Sequence, residues 1–416
     1  MNRFTPGTPD RRGFTARSRR RPAAVSVWLL VVLLTLLAAM AVGVNAAWLG
    51  TAYEELRGSA DAAALAAAGE LVSDEWLRSP RTGVAALPTA AAARAVEYAA
   101  ANPVLGRPLV LQTDPLLGAD VAFGAVDPAA SLLTPVDPSD PASWSLETLS
   151  AVAVTARRLR SRGTAVPLLL GALVLRPTQD VQAVTVARLD RDVYGFRPGV
   201  TAPAPLVPIG VKSDLSAGAG SWEHEVRDRL GPDDWTVDPA TGAVTAGGDG
   251  IPEIDVELQL APGGDPALST AYLLTVGSGT TTTQITAGVT RDDLAATGGN
   301  ITLDASNRLQ LPGTAVGPAD GSGELAALRG RLEQLLGGRP RVWPLVREFD
   351  ALTETAVVTG FVAARVVRVE VPAGGPLRIR LQPAQLAVPQ ALTDPAHRSP
   401  ASFIPSPYLA RLRLAR

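Results

Sequence analysis

Cysteine is absent from this 416-residue chain, which excludes disulfides, thiolate metal sites, iron–sulfur clusters and cysteine nucleophiles together. Imidazole is scarce, with His224 and His397 the only two histidines. Lysine is scarcer still: Lys212 stands beside 37 arginines, and no Walker A loop surrounds it. No Gly-x-Ser-x-Gly turn is present to display a serine nucleophile. These gaps disfavour a hydrolase, and the chain reads as non-enzymatic, with no catalytic, cofactor-binding or metal-binding residue assigned.

Charge is missing from one long stretch. Ala23 to Leu49 holds no ionisable residue and only three weakly polar ones, Ser26, Thr35 and Asn45. As a helix these 27 residues extend about 40 Å, and roughly 20 suffice to cross the hydrocarbon core of a bilayer. Trp28 and Trp48 stand near the two ends, where the aromatic belt of a membrane protein lies. A secretory signal is the competing reading, with Val44-Asn45-Ala46 as its cleavage site, but signal cores run only about 7–15 residues. Seven arginines precede the run against one acid, Asp10. That asymmetry predicts a cytoplasmic tail (1–22), a transmembrane helix (23–49) and an extracytoplasmic part (50–416).

The whole chain carries a formal charge of −2 and residues 1–22 contribute +6, which leaves −8 beyond them. An acidic exported part argues against nucleic acid as a partner, because that binding rests on clustered positive charge. The bilayer and other proteins are the partners expected, and no cofactor is implied.

After the span the helix is expected to continue. Leu56, Ala60, Ala63, Ala64, Ala67 and Leu71 keep the i, i+3, i+4 spacing in an alanine-rich segment. A second such helix, Thr89 to Ala101, begins after Pro88 and stops at Asn102-Pro103, and the pair suits a hairpin or a helix-mediated oligomer. Beyond Pro103 the chain turns to β character, so the fold class is α+β. Strands are expected at 108–112, 119–124, 150–157 and 181–187, later at 272–276, 301–311, 342–346, 356–371 and 377–386. Val166 to Leu175 is apolar but too short to span as a helix, and reads as buried structure. Ser221 to Leu230 suits a short helix, and Glu324 to Leu336 a longer one ended by Gly337. The divisions expected are Ala-rich helices over 50–103, a β-rich domain over 104–198, and a mixed α/β domain over 199–416 with a Pro-rich tail.

Behind its arginine-rich anchor the chain carries Ser59-Ala-Asp-Ala-Ala-Ala-Leu-Ala-Ala-Ala68, and here it resembles the TadE/TadG-like Flp pilus-assembly proteins. Leu56, Ala60, Asp61, Ala62, Ala63, Ala64, Leu65 and Ala66 occupy the pattern of that family's N-terminal module, which ends near residue 68. Asp120-Val-Ala-Phe-Gly-Ala-Val-Asp127, Leu189 to Pro198 with Pro205-Leu-Val-Pro208, and Val358 to Arg365 are similar to longer members from planctomycete-type genomes. The resemblance implies a single-pass component of a Tad/Flp assembly that works through protein contacts. The alternative is an anchored binding or adhesive module unrelated to pili. Some members carry a von Willebrand A-like domain with a DxSxS metal motif. Asp214-Leu-Ser216, Asp304-Ala-Ser306 and Asp320-Gly-Ser322 all lack the second serine, so the resemblance carries no metal site here. Pilins of the same system are cut before a glutamate five residues into the mature segment. No acid lies between Asp10 and Glu54, which favours a permanent anchor over a pilus subunit.

The remaining polar candidates read blandly. His224 sits between Glu223 and Glu225, which point elsewhere around a helix, and His397 lies in a Pro-rich tail. Asp233-Asp234 and Asp292-Asp293 read as turn residues, and the loop from Gly248 to Asp255 offers oxygen ligands for calcium without an EF-hand pattern. Asp61 is the polar position to watch on its alanine-rich helix, with a solvent-facing charge as the plain reading.

Overall fold

The computed structural model describes residues 21–114, 118–126, 133–137, 140–173, 175–213, 220–261, 265–393 and 406–415. The arginine-rich tail up to Arg20, the Asp214–Ser216 motif and His397 lie outside the described residues. The chain is α+β, a long apolar N-terminal helix followed by a β-rich region with a few short helices. It forms two compact units, Met1–Leu56 with Arg157–Gln182, and Arg57–Ala156 with Ala183–Arg416.

Helix α1 runs unbroken over Arg21–Glu70. Residues 26–40 are exposed on every side, as suits a helix with no polar face. By length and composition it is able to cross a membrane. Within it the Thr35 hydroxyl is satisfied locally, since Oγ1 donates to the Val31 carbonyl at 2.8 Å.

Within the first unit, residues 157–182 form a small hairpin. Val166–Pro167 pairs with Thr178–Gln179, and the ten residues between make a tight tip. The burial expected of the apolar run 166–175 does not occur. Val166 is buried, but Leu169, Leu173 and Leu175 are 58%, 55% and 91% exposed. The segment is a hairpin tip, not a strand of a core.

In the second unit, α1 ends on a face of buried small residues: Ala60, Ala63, Ala64, Ala67 and Ala68, closed by Leu71. Helix α2 (Leu87–Ala101) buries Leu87, Ala91, Ala95 and Ala99, one residue per turn. Pro88 in its first turn and Asn102, whose side chain donates to Tyr98 O at 2.7 Å, mark its ends. The helices approach closely enough for Ser59 Oγ to reach the Ala99 carbonyl at 3.4 Å and for Arg94 to pair with Glu70 at 3.5 Å. Alanine faces allow that approach.

A six-stranded sheet follows. In spatial order it is Leu386–Ala387, Leu409–Ala415, Val181–Asp190, Ala151–Arg158, Val121–Val126 and Leu133–Pro135. Two of its strands thus come from the far end of the chain. The strand expected at 108–112 is not paired as a ladder; Leu109 and Leu111 are buried in extended chain.

The larger sheet has eight strands in the order Leu309–Thr314, Ala271–Leu274, Ile209–Lys212, Arg341–Asp350, Thr355–Glu370, Leu377–Pro383, Ile254–Leu260 and Val316–Gly317. The first strand also pairs with Thr355–Glu370, through Leu309↔Val358 to Pro312↔Thr355. That extra ladder closes five strands into a ring, which removes an open edge. Gly210 is required inside it, because a Cβ there would stand 2.4 Å from the Val346 side chain.

The 16-residue strand Thr355–Glu370 is buried on both faces from Phe361 to Val367. Its alternation divides two cores. Val358, Phe361 and Ala363 pack with Phe196, Leu206, Leu274 and Val346. Val362, Ala364 and Val366 pack with Trp343, Leu258, Ile379 and the helix residues Leu325, Leu328 and Leu332. A helix α3 (Thr281–Ala287) packs against the one that carries those leucines, α4 (Gly323–Glu333). The N-cap of α4, Ser322, accepts the Leu325 N–H at 3.1 Å. The helix expected at 221–230 shrinks to one wide turn, Glu223–Arg227.

Candidate functional site

Asp61 is half-buried. Its Oδ1 accepts a hydrogen bond from Thr185 Oγ1 at 2.7 Å, on strand Val181–Asp190. The motif aspartate therefore ties α1 to the six-stranded sheet, in place of the solvent-facing charge that plain reading predicted. The contact spans 124 residues of sequence, and no local pattern announces it.

Between α2 and the six-stranded sheet lies an apolar groove of about 710 Å³. Pro88, Ala92 and Val96 form one wall; Val121, Phe123 and Trp144 form the other. Trp144 is fixed by donating Nε1–H to the Asp137 carbonyl at 2.9 Å. Among the described residues its lining holds no titratable side chain, and the groove suits apolar contact.

A second joint lies just after α1. Asp74, in the short turn Asp74–Trp76, pairs with Arg365 of the long strand and accepts the Gln385 backbone N–H at 2.6 Å. Gln385 Oε1 in turn accepts from Ser73 N at 3.2 Å and from Arg191 Nη2 at 3.3 Å. Arg229 donates to Leu77 O at 2.9 Å, and Ser79 N to Gly250 O at the same distance. The segment 71–79 is thereby locked onto the eight-stranded sheet. Arg191 is almost wholly buried, and burial lowers its guanidinium to about 10.

Most of the described carboxylates singled out in the sequence hold structural bonds. Asp233 accepts the N–H groups of Asp249 and Gly250, both at 2.9 Å, and Asp234 pairs with Arg380. Asp293 accepts Thr290 N at 2.8 Å, and Asp304 caps Ser306 and Arg308 N–H groups in its own turn. In the loop considered for calcium, Asp249 caps Ile251 at 3.0 Å and Asp255 takes two donors from Arg380. Among the described residues no group of three or more His, Asp or Glu is arranged to hold a metal ion. His224 lies half-buried on the wide turn; the neighbouring Glu225 carboxylate is turned to the N–H groups of Gly220 and Asp255.

Glu253 has no solvent exposure and accepts the N–H groups of Asp234 and Trp235 at 2.9 and 2.8 Å. Burial pushes its carboxyl up to about 7, against those hydrogen bonds. Burial also raises Glu225, Asp249 and Asp190. A carboxyl with a raised folded pKa holds its proton more tightly in the folded state. Its stabilisation is complete below the unfolded value near 4.5 and is lost as pH rises through 7. From Glu253 alone, stability is expected to fall by about 3 kcal/mol between those limits. Urea unfolding across that pH range should show a much shallower slope for Glu253→Gln; an unchanged slope would reject this assignment.

Among the described residues the geometry defines an α+β protein with one helix able to span a bilayer and a β-rich unit that carries an apolar groove. Comparison with protein-family models, with curated proteins and with solved structures returns no match.

Proposed function

We propose that the chain is a single-pass component of a bacterial cytoplasmic membrane, with its N-terminus inside and residues 50–416 outside, that serves a Tad/Flp-like assembly through protein contacts. One observation carries the reading. Helix α1 is apolar and exposed on every side over 26–40, then continues without a break into the Ala60–Ala68 face that packs in the folded part. A cleaved leader has no reason to share one unbroken helix with the body it delivers. The Asp61–Thr185 bond gives the family-like motif a structural role, holding the helix to the sheet.

The protein acts as a scaffold with no reaction of its own. The carboxylates described above are engaged in turns, caps and arginine pairs, and the described groove lining is largely apolar. Purification of the tagged full-length protein in mild detergent after in-cell cross-linking is expected to recover the assembly ATPase and membrane-platform proteins. Recovery of the intact protein without any of that machinery would contradict the Tad/Flp assignment while leaving the anchor standing.

A further inference from the structure

The hairpin tip at 168–177 is hard to explain as a water-exposed loop. Residues 163–175 contain no charge, and the side chains of Leu169, Leu173 and Leu175 point away from protein. Leu175 is held at φ +54° while 91% exposed, so a bulky side chain is presented outward at a strained backbone position. Burial within this chain does not account for the composition.

The tip is fastened to the apolar helix. Asn45 Oδ1 accepts the Leu170 N–H at 3.0 Å, and Trp48 Nε1 donates to the Pro167 carbonyl at 2.9 Å. Asn45 is the one polar residue of the span that is buried, and Ala41, one turn earlier on the same face, is buried too. The helix thus changes at this level from exposed all round to one-sided. Three more N–H groups of the tip are satisfied internally: Leu168 N to Pro177 O at 3.0 Å, Leu173 N to Leu170 O at 3.2 Å, Arg176 N to Gly171 O at 3.0 Å. Irregular backbone enters hydrocarbon only when its polar groups are paired in this way. Arg160, Arg162 and Arg176 flank the apolar stretch in sequence, the residues that reach headgroup phosphates at an interface.

We infer that the 168–175 tip is a second membrane contact, which dips into the acyl chains of the same leaflet that surrounds the C-terminal end of the span. This rests on the membrane-anchor reading above. The occupant is lipid and not a protein partner because the exposed leucines are fastened to a helix whose surface is uncharged and almost wholly apolar. From Trp48 back to Ala41 is seven residues, or about 10 Å along the helix, which matches the depth of interfacial insertion. Asn45 then satisfies a tip N–H at a depth where water is scarce.

The cysteine-free chain makes the test clean. Single variants Leu173→Cys and Leu175→Cys carry an environment-sensitive fluorophore in the full-length protein, reconstituted into phospholipid vesicles with spin-labelled acyl chains. Leu33→Cys reports the span, and Leu352→Cys, at a residue 97% exposed, reports water. The expected result is loss of most emission at 173, 175 and 33, with none at 352. Quenching at 33 but not at 173 or 175 would overturn the insertion and leave the anchor intact. No quenching at 33 would overturn both.

Discussion

Asp74→Ala is expected to destabilise the folded part by about 3–5 kcal/mol, although the residue sits in a three-residue turn. The side chain stands opposite Arg365, which is buried in the middle of the long strand, and also holds the Gln385 N–H. Removing it leaves a guanidinium and an amide without their acceptor in a largely buried site, and the loss is the desolvation of both. Replacing Arg365 by Met in the same background should recover much of the loss, because a buried pair exchanged for apolar side chains is close to neutral. Denaturant unfolding of the two single variants and the double variant gives the coupling directly. A loss below about 1 kcal/mol for Asp74→Ala would mean that the pair is solvated and that the 71–79 segment is not locked as described.

Much of this architecture is legible in the sequence, for identifiable reasons. The long apolar helix needs only 27 uncharged residues, α2 carries local signals at Pro88 and Asn102, and α4 shows its leucine face. The strands Ala151–Arg158, Val181–Asp190 and Thr355–Glu370 show their alternation in composition. What stays hidden is non-local. The closure of the ring by Leu309–Thr314 depends on a pairing with residues about 45 positions away, and the Asp74–Arg365 pair spans 291. The run 166–175 misleads for a different reason. An apolar stretch has the same composition whether protein or lipid covers it, so periodicity alone does not separate the two. Asp61 likewise reads as a surface charge until Thr185 is placed beside it.

The second large effect concerns topology, and it is all-or-none. Moving the β-rich unit to the other side of the membrane would leave seven arginines on the translocated side of a short tail, against the bias that orients such helices. It would also place the 409–415 strand and both cores in a different compartment from the one the reading requires. A natural chain without cysteine allows both sides to be mapped with one substitution each. Intact cells carrying Leu352→Cys should label with a membrane-impermeant maleimide at once, whereas Ser18→Cys should label only after permeabilisation. That outcome places the folded part outside and the arginine-rich tail inside. Labelling of Ser18→Cys in intact cells with protection of Leu352→Cys would contradict the account at its centre.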